Sequence, residues 1–281
     1  MNTPIPFVKM SGTGNDFIII DHRYPFLDTE EAARFAKHVC SRRVSIGADG
    51  LLLIENSDQA DFKWQFFNSD GSVAEMCGNG ARCAARYAYM HGIAPAIMRF
   101  ETLAGVIEAR VSDVNVTIRM TAPHSLHMNH ELKLSGEERI TVHTLDTGVP
   151  HVVYMVDDAN VVNVQELGSI IRYHKDFQPA GTNVNFVSLQ DGGLKVRTYE
   201  RGVENETLAC GTGAVASSVV AHLLDKVSSP VQVTTSGGDQ LEIRFNMTAG
   251  STVDDVFLKG PALCIYQGEL TAEALLGLKK E

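Results

Sequence analysis

Short runs of apolar residues, many alternating with polar ones, recur along this chain and predict a protein rich in β-strands. Residues 61–68 alternate aromatic with polar side chains, which predicts a half-buried strand, whereas the apolar run at 51–55 predicts a buried one. Other runs of strand length occur at 7–10, 17–21, 97–103, 105–111, 114–120, 140–156, 181–186, 195–199, 231–235, 240–246, 256–259 and 262–266. Short turns separate the three runs between 97 and 120, which predicts an antiparallel meander.

Helical spacing of apolar and small residues is confined to a few segments. Residues 30–40 predict a helix with Thr29 as its N-cap, and residues 164–171 predict a shorter helix. The segment 213–224 contains no Asp, Glu, Lys or Arg, so we expect its helix to be buried on nearly all sides. A sheet wrapped around one central helix would bury it in this way.

A glycine-rich motif occurs twice, as Met-Cys-Gly-Asn-Gly-Ala at 76–81 and as Ala-Cys-Gly-Thr-Gly-Ala at 209–214. Small residues follow each copy at helical spacing, which predicts Cys77 and Cys210 at helix N-termini. The amides and dipole at such an end favour an anion, either a thiolate or a substrate carboxylate. A thiol placed there can have its pKa lowered from about 8.5 towards neutrality.

Two such thiols, one in each half of the chain, suit the inversion of a stereocentre. One group removes an α-proton from one face, and the other returns a proton to the opposite face. The amides would stabilise the charge that develops on the carboxylate, so an electron sink such as pyridoxal phosphate is not strictly required. We therefore expect a cleft between two domains with a thiol on each wall, and a hinge near residues 121–130 that closes it.

Composition limits the class of protein. A length of 281 residues suits two domains, and the formal charge of −10 argues against nucleic acid as the main partner. The first twenty residues do not resemble a signal peptide, and no segment is long and apolar enough to span a bilayer, so no membrane partner is expected. The five cysteines form an odd, sparse set typical of intracellular enzymes, which predicts a cytoplasmic location.

Residues 122–138 lose periodicity, and we expect the chain to cross between domains there. Their three histidines, His124, His127 and His130, have a spacing that permits a metal site. Histidines in an irregular polar segment are more often solvated, so no metal is predicted. The sequence at 181–186 also partly repeats that at 12–17, which suggests equivalent turns in the two halves.

Several polar groups have a structural interpretation beside a functional one. Residues 11–16 either close over a ligand or form a plain hairpin turn. Asn68 either reaches the site of Cys77 or caps its own turn. His151 follows a Gly-Val-Pro turn and could hydrogen-bond into a site, although a structural role is the default. Structural roles are expected for Arg82 and Arg86, on a solvated or interdomain helix face, and for Cys40, Cys83 and Cys264, as small buried apolar residues.

An ordered set of motifs covers most of the chain. They are Gly-Asn-Asp-Phe at 14–17, Gly-Ala-Asp-Gly at 47–50, Phe-Asn-Ser-Asp-Gly at 67–71, Met-Cys-Gly-Asn-Gly-Ala-Arg at 76–82, Gly-Val-Pro-His at 148–151, Tyr-Glu-Arg-Gly at 199–202 and Ala-Cys-Gly-Thr-Gly at 209–213. Together they resemble the motifs of the diaminopimelate epimerase family, over about residues 7–268. The resemblance implies an isomerase of lysine and peptidoglycan biosynthesis, usually a homodimer, that interconverts LL- and meso-2,6-diaminopimelate without a cofactor.

The resemblance also implies an α/β (α+β) fold with two pseudo-symmetric domains, each a curled mixed or antiparallel sheet around a central helix. The C-terminal tail of the family returns to the first domain. We therefore expect an N-terminal domain of residues 1–121 plus 268–281, which carries Cys77, and a C-terminal domain of residues 122–267, which carries Cys210.

Functional roles are carried over from the family by position. Cys77 and Cys210 resemble the two acid–base residues. The cradle for the carboxylate at the reacting centre is matched by Gly78, Asn79, Gly211 and Thr212. The residues that hold the distal end of the substrate are matched by Asn15, Asn68, Asn183, Glu200 and Arg201. His151 and Glu200 also resemble polar groups that keep the thiols in the right protonation state.

Two other functions compete with this one. Proline and hydroxyproline racemases of the same superfamily also use paired cysteines. Their first cysteine motif resembles Cys-Gly-His-Gly, whereas this chain has Asn79 in place of the histidine. A non-catalytic redox or binding role for the two thiols is the alternative from a different class. One position departs from the family pattern, because some members have a glutamine that matches Gly50.

Overall fold

The structure, a computed structural model, describes residues 3–134, 136–248 and 252–279. Within these residues the α-helices are α1 (Thr29–Val39), α2 (Gly78–Met90), α3 (Val164–Arg172) and α4 (Gly211–Leu223). The β-strands are β1 (Ile5–Gly12), β2 (Asn15–Asp21), β3 (Gly50–Glu55), β4 (Phe62–Asn68), β5 (Ile97–Thr102), β6 (Gly105–Ser112), β7 (Asn115–Arg119), β8 (His124–Lys133), β9 (Arg139–Asp146), β10 (Pro150–Met155), β11 (Asn183–Gln190), β12 (Gly193–Glu200), β13 (Asn205–Thr207), β14 (Val231–Thr234), β15 (Gln240–Thr248), β16 (Thr252–Pro261) and β17 (Leu263–Leu270). Short 3-10 helices occur at Ala159–Val161, Lys175–Phe177 and Glu273–Lys279.

The chain divides into two compact units, one of residues 1–118 and 260–281 and the other of residues 119–259. These boundaries differ from the predicted ones at 121/122 and 267/268. The second boundary lies earlier because β17 pairs with β1 along its length, from Leu270 opposite Ile5 to Leu263 opposite Ser11. Residues 1, 2, 280 and 281 of the predicted first domain lie outside the described residues.

Each unit contains one mixed sheet. The strand order in the first unit is β17-β1-β2-β3-β4-β5-β6-β7. The order in the second unit is β8-β9-β10-β11-β12-β14-β15-β16, with β13 also paired to β12. In both orders the third and fifth pairings are parallel and the others are antiparallel. The two units therefore share one topology, which confirms the predicted pseudo-symmetric mixed sheets and, in β5 to β7, the predicted meander.

The parallel pairings explain where the helices lie, because two parallel neighbours need a crossover between them. In the first unit, α1 joins β2 to β3 and α2 joins β4 to β5. In the second unit, α3 joins β10 to β11, and α4 lies between β12 and β14. Both cysteine motifs therefore occur at the same step of the topology. Each lies in the crossover between the second pair of parallel strands, β4 and β5 in the first unit and β12 and β14 in the second.

The strands next to these helices are buried on both faces. In the first unit, Ile18 and Leu51 pack with Phe35 of α1 in one apolar cluster. Ile19 and Leu52 point to the opposite face of the sheet and are also fully buried. Full burial of one such side chain stabilises the fold by roughly 1.5–3 kcal/mol. Burial on both faces is why residues 51–54 form an unbroken apolar run.

The second unit repeats this arrangement. Val184 and Phe186 pack with Ile171 of α3. Asn185 and Val187 alternate to the other face, where α4 lies against β11. In α4, the nine consecutive residues 213–221 are buried, which confirms the prediction from the uncharged sequence of this helix.

One prediction about the chain path is wrong. Residues 122–138 were expected to be an irregular crossing, but His124–Lys133 form the strand β8 along β9. The pairing shifts register twice, and Ser125 and Asn129 have positive φ values of 55° and 58°. Such irregularities interrupt the two-residue alternation of a strand, so the sequence pattern does not reveal it.

The suggested equivalence of residues 12–17 and 181–186 is also wrong. Residues 12–17 contain the hairpin turn between β1 and β2, with Thr13 and Gly14 at φ values of 54° and 94°. Residues 181–186 instead lead into β11, which corresponds in topology to β3. Residues 11–16 therefore form a hairpin turn, and whether this turn also closes over a ligand stays a prediction.

The N-cap of α1 is Asp28 instead of the predicted Thr29. The Asp28 carboxylate accepts a hydrogen bond from the Glu31 amide at 2.8 Å, and the Asp28 amide donates to the Glu31 carboxylate at 3.0 Å. This reciprocal capping box satisfies two amides at once. Glu31, three residues after Asp28, is the sequence signal that identifies Asp28 and not Thr29 as the N-cap.

Replacement of the two residues should distinguish them. Asp28→Ala removes the acceptor and should lower the free energy of unfolding by about 1 kcal/mol. Thr29→Ala, the control at the first helical position, should change it by less than about 0.5 kcal/mol. Chemical denaturation measures both values, and equal losses would contradict the assignment of the cap.

Candidate active site

Cys77 and Cys210 occupy the same backbone position in the two units. Each is the N-cap of a 13-residue helix, with extended dihedral angles of φ −146° and ψ 122° in α2 and φ −129° and ψ 110° in α4. Each cysteine carbonyl accepts the first intrahelical hydrogen bond, from Ala81 at 2.8 Å and from Ala214 at 2.9 Å. The prediction of two cysteines at helix N-termini is confirmed. The first amides of a helix have no intrahelical acceptor, so the helix N-terminus that follows each cysteine favours an anion.

The turn that begins α4 brings donors to the Cys210 sulfur. The amide of Gly213 donates to Sγ at 3.4 Å, and the Thr212 hydroxyl lies 3.4 Å from the same atom. The Thr147 hydroxyl donates to the Thr212 carbonyl at 3.4 Å and helps to hold the turn. Such hydrogen bonds stabilise a thiolate more than a thiol.

The side chain of Asn79, in the corresponding turn of α2, is directed into the first unit and is 4% exposed. Its Oδ1 accepts from Arg82 at 2.9 Å and from the Thr13 hydroxyl at 3.1 Å, and its Nδ2 donates to Asn15 Oδ1 at 2.8 Å. Asn15 donates in turn to Asp49 Oδ2 at 2.9 Å. Two predicted binding residues, Asn15 and Asn79, are therefore in direct contact. A contact from Asn79 to an anion would come from its backbone amide.

Arg82 was expected on a solvated or interdomain face, and the solvated alternative is wrong, because Arg82 is fully buried. Its guanidinium also donates to the Thr13 hydroxyl at 2.6 Å and to the Pro261 carbonyl at 3.5 Å. Arg86, one turn later, is only half-buried and donates to backbone carbonyls. Two of its acceptors, Thr13 and Pro261, come from distant parts of the sequence, so helical spacing alone gave no signal for the burial of Arg82.

In the second unit, His151 is 1% exposed, and its Nδ1 lies 3.0 Å from Nδ2 of Asn185. The Asn185 amide also donates to the Val152 carbonyl at 2.8 Å, and its Oδ1 accepts from the Thr198 hydroxyl at 2.9 Å. The orientation of this amide is therefore set, and His151 Nδ1 is the acceptor. Burial lowers the pKa of His151 to about 3, with a smaller contribution from the positive charge of Arg201.

His151 is consequently neutral near pH 7 and carries its proton on Nε2. Within the residues that the structure describes, this buried Nε2 has no hydrogen-bond partner. A buried N–H of this kind can donate to a bound ligand or to a water molecule.

Asn185 was not predicted from the sequence. A Cβ atom at Gly213 would lie 2.2 Å from Asn185 Oδ1, so the second glycine of the motif is required by close approach of α4 to β11. The signal was present, since Asn183 and Asn185 are two asparagines in a strand whose other residues up to 187 are apolar.

The ends of β10, β11 and β12 bring together the remaining predicted residues of the second unit. Asn183 pairs with His151 in the parallel register, donates to the Pro150 carbonyl at 3.2 Å and accepts from the Arg201 amide at 2.8 Å. Arg201 also donates from its guanidinium to the Ala180 carbonyl at 2.9 Å. Burial raises the pKa of the half-buried Glu200.

Asn68 and Gly50 lie opposite each other at the ends of β4 and β3. The side chain of Asn68 donates to the Ser72 hydroxyl at 2.9 Å, so it caps the following turn, as the structural interpretation expected. A Cβ atom at Gly50 would lie 2.7 Å from the ring of Phe66 and 2.9 Å from the carbonyl of Phe67. A glutamine at position 50 would therefore require the neighbouring strand to shift.

The other cysteines lie in different surroundings. Cys40 and Cys83 are buried, as expected, and burial raises the pKa of each thiol to about 12. Cys264 is partly exposed on β17, so its predicted burial is wrong. A thiol in an apolar core stays protonated, which separates these buried cysteines from the two at helix N-termini.

Two of the three histidines of β8 lie near different carboxylates. His130 contacts Asp176 at 3.0 Å and His124 lies 3.8 Å from Asp146. Among the described residues, no group of three or more His, Cys, Asp and Glu side chains has the arrangement of a metal site. The helices in the described part of the chain are also too short or too polar to cross a membrane.

Comparison with known proteins identifies the family. The family model described as diaminopimelate epimerase matches residues 7–126 and 143–261. This chain belongs to the diaminopimelate epimerase family. Among its relatives, the diaminopimelate epimerase of Aquifex aeolicus is 49% identical over 96% of this chain and 99% of its own length. The diaminopimelate epimerase of Hydrogenobaculum sp. is 45% identical over 94% of this chain and 98% of its own length.

Solved structures with lower sequence identity share the fold of this family. A PhzF-family phenazine biosynthesis protein from Bacillus anthracis has a TM-score of 0.74 at 16% identity and covers 96% of this chain and 99% of that chain. A hydroxyproline epimerase from Agrobacterium vitis has a TM-score of 0.69 at 17% identity and covers 98% of this chain and 94% of that chain. These similarities support the fold that the epimerase motifs predicted.

The buried neutral state of His151 should make the stability of this family member depend on pH. The pKa of about 3 lies below the value of about 6.5 in the unfolded chain, so the unfolded state binds the proton more readily. The stabilisation is complete above about pH 6.5 and is lost as the pH falls towards 3.

Between pH 7 and pH 5, we expect the free energy of unfolding of the wild type to fall by about 1–2 kcal/mol more than that of His151→Gln. Glutamine keeps an acceptor for Asn185 but does not titrate. Chemical denaturation at the two pH values measures the difference, and parallel losses in both proteins would contradict the burial of a neutral imidazole.

Proposed function

We propose that this protein interconverts LL- and meso-2,6-diaminopimelate, with Cys77 and Cys210 as the two acid–base groups. One thiolate removes the α-proton, and the electron pair of the broken C–H bond moves into the α-carboxylate. The other thiol then donates its proton to the opposite face of the carbon and becomes the thiolate. No electrons are gained or lost overall, and the two sulfurs exchange roles in the reverse direction.

One observation carries this proposal, namely the equivalent placement of the two cysteines. Each is the N-cap of its helix, and the two helices occupy corresponding crossovers in the two units. The helix N-terminal amides, including those of Gly78, Asn79, Gly211 and Thr212, are suited to the charge that develops on a carboxylate. Stabilisation of this charge by donors already in place supports a reaction that needs no pyridoxal phosphate. We assign no metal and no other cofactor to it.

We assign the distal amino-acid end of the substrate to the residues that match the family pattern, namely Asn15, Asn68, Asn183, Glu200 and Arg201. The guanidinium of Arg201 is suited to bidentate contact with a carboxylate. The raised pKa of Glu200 and the buried Nε2 of His151 support a role for these two groups in the proton balance near the thiols.

The reaction can be followed in deuterated water. With LL- or meso-diaminopimelate as substrate, we expect solvent deuterium at the inverted α-carbon, and with proline we expect none. Cys77→Ala and Cys210→Ala should each lower epimerisation by about 10²-fold or more, because each removes one of two essential proton-transfer groups. Each variant should still exchange the α-proton of one stereoisomer, and the two variants should exchange opposite ones.

Cys264→Ala is the matched control, since this thiol lies on a strand outside both helix termini, and its turnover should equal that of the wild type. Retention of epimerisation by either Cys77→Ala or Cys210→Ala would refute the two-base mechanism. Deuterium exchange of proline at a rate comparable to that of diaminopimelate would refute the assigned substrate.

We also propose that the enzyme acts as a homodimer in the cytoplasm, as the family resemblance implies. The sparse cysteines, two of them buried, support a reducing compartment. Light scattering should give about twice the chain mass of 30.6 kDa, and a value equal to the chain mass would contradict the dimer.

A further inference from the structure

Arg82 stands at one end of a run of hydrogen bonds whose direction is set by chemistry. A guanidinium has five donors and no acceptor, so the atom of Asn79 that faces Arg82 at 2.9 Å must be Oδ1. The Nδ2 group of Asn79 is thereby directed to Asn15, where Oδ1 accepts at 2.8 Å. Reversal of the Asn79 amide would place a donor against the donors of Arg82 and an acceptor against Oδ1 of Asn15.

The other end of the run is a carboxylate, which only accepts. Asn15 donates from Nδ2 to Asp49 Oδ2 at 2.9 Å, and Asp49 Oδ1 accepts from Arg42 at 2.9 Å. A donor-only group at one end and an acceptor-only group at the other leave one orientation for each of the two amides between them.

The groups next to Asp49 hold this acceptor end in place. Asp16 accepts from Arg42 at 2.7 Å and forms an ion pair with Lys9 at 2.8 Å. Burial alone would raise the pKa of Asp16, but the hydrogen bonds from Arg42 and Lys9 outweigh this effect and lower it. The backbone amide of Asp49 donates to the Asp16 carboxylate at 3.0 Å, which holds these two residues together.

Burial makes the donor end of the run rigid. Arg82 is fully buried, and Thr13 and Asn79 are 3% and 4% exposed. The Arg82 guanidinium also contacts the Gly78 carbonyl at 3.3 Å, so it holds the backbone of the first turn of α2 as well as the Asn79 side chain. A buried donor or acceptor without a partner destabilises the fold, which opposes any rearrangement of these groups.

The second unit has no equivalent of this guanidinium. The residue five positions after Cys77 is Arg82, whereas the residue five positions after Cys210 is the buried Val215. Asn185, His151 and Thr198 form the polar contacts beneath α4 instead. A role of Arg82 in orienting the first turn of α2 therefore concerns Cys77 and not Cys210.

We propose that Arg82 is a positioning residue for the Cys77 half of the reaction, because its buried guanidinium fixes the orientation of the Asn79 and Asn15 amides and of the helix turn that follows Cys77. This inference rests on the proposed function for its kinetic part. Its structural part, the fixed orientation of the two amides, is independent of that function.

The variants are chosen to separate positioning from general loss of structure. Arg82→Met removes the donors, and Arg82→Lys keeps the charge and some of the donors and should restore part of the effect. Arg86→Met is the matched control, since it removes an arginine of the same helix that donates to the backbone carbonyls of Ala262 and Asp113. Thermal unfolding of each variant identifies the fraction that is folded.

The first measurement is NMR of the side-chain amide protons. In the wild type, the Nδ2 protons of Asn79 and Asn15 should exchange slowly with solvent. In Arg82→Met they should exchange about tenfold faster or more, as expected when a hydrogen bond worth about 1.4 kcal/mol is lost. Arg86→Met should leave them unchanged. Equal exchange in wild type and Arg82→Met would overturn the proposal.

The second measurement is deuterium exchange at saturating diaminopimelate in the two single-thiol backgrounds. In Cys210→Ala, where Cys77 remains, addition of Arg82→Met should lower exchange about tenfold or more. In Cys77→Ala, where Cys210 remains, the same addition should lower exchange by a clearly smaller factor, because it affects the carboxylate cradle but not the position of the remaining thiol. Equal loss in both backgrounds would assign Arg82 a general structural role and overturn the proposal.

The two measurements distinguish failure of this inference from failure of the proposed function. If the wild type and both single-thiol variants fail to exchange diaminopimelate, the two-base function is wrong, and the amide protons alone decide whether Arg82 fixes the two asparagines. If the wild type is active and Arg82→Met behaves like Arg86→Met in both measurements, the function stands and the role of Arg82 is refuted.

Discussion

The structure depends on a cysteine that begins a helix. As the N-cap, the residue adopts extended dihedral angles and precedes amides that the helix cannot satisfy, and at Cys210 the sulfur accepts from the Gly213 amide. Glycines before and after the polar residue allow the backbone to approach its neighbours closely, as at Gly213 against Asn185. The sheet of each unit supports this turn, because the helix is part of the crossover that follows β4 in one unit and β12 in the other. The same constraint is met twice, once in each unit.

The two units meet this constraint with different polar groups. Beneath α2, a buried cation, Arg82, orients a run of amides that ends at Asp49. Beneath α4 the polar groups are neutral instead, since Asn185 donates to Nδ1 of a neutral His151. A symmetric topology thus carries asymmetric electrostatics. A reaction in which two groups exchange acid and base roles does not require the groups to be identical, only that both states of each be accessible.

Much of the fold could be predicted from the sequence, because local signals agreed with the tertiary structure at the helix N-termini, the buried strand 51–54 and the uncharged α4. Predictions failed where a distant contact decides the outcome. Arg82 was misassigned because two of its acceptors, Thr13 and Pro261, lie far away in sequence. The strand β8 was missed because positive φ values interrupt its alternation of side chains. For the site, motif resemblance found Asn15 and Asn79, but neither motif nor spacing revealed that their side chains contact each other.

The most direct test of the account is the titration of each thiol at its helix N-terminus. Alkylation rates of Cys77 in Cys210→Ala, and of Cys210 in Cys77→Ala, can be followed against pH by mass spectrometry, so that neither thiol influences the other. The account predicts that each midpoint lies below the value of about 8.5 found for the same cysteine in the unfolded chain. A midpoint at or above that value for either thiol would contradict stabilisation of the thiolate by the helix.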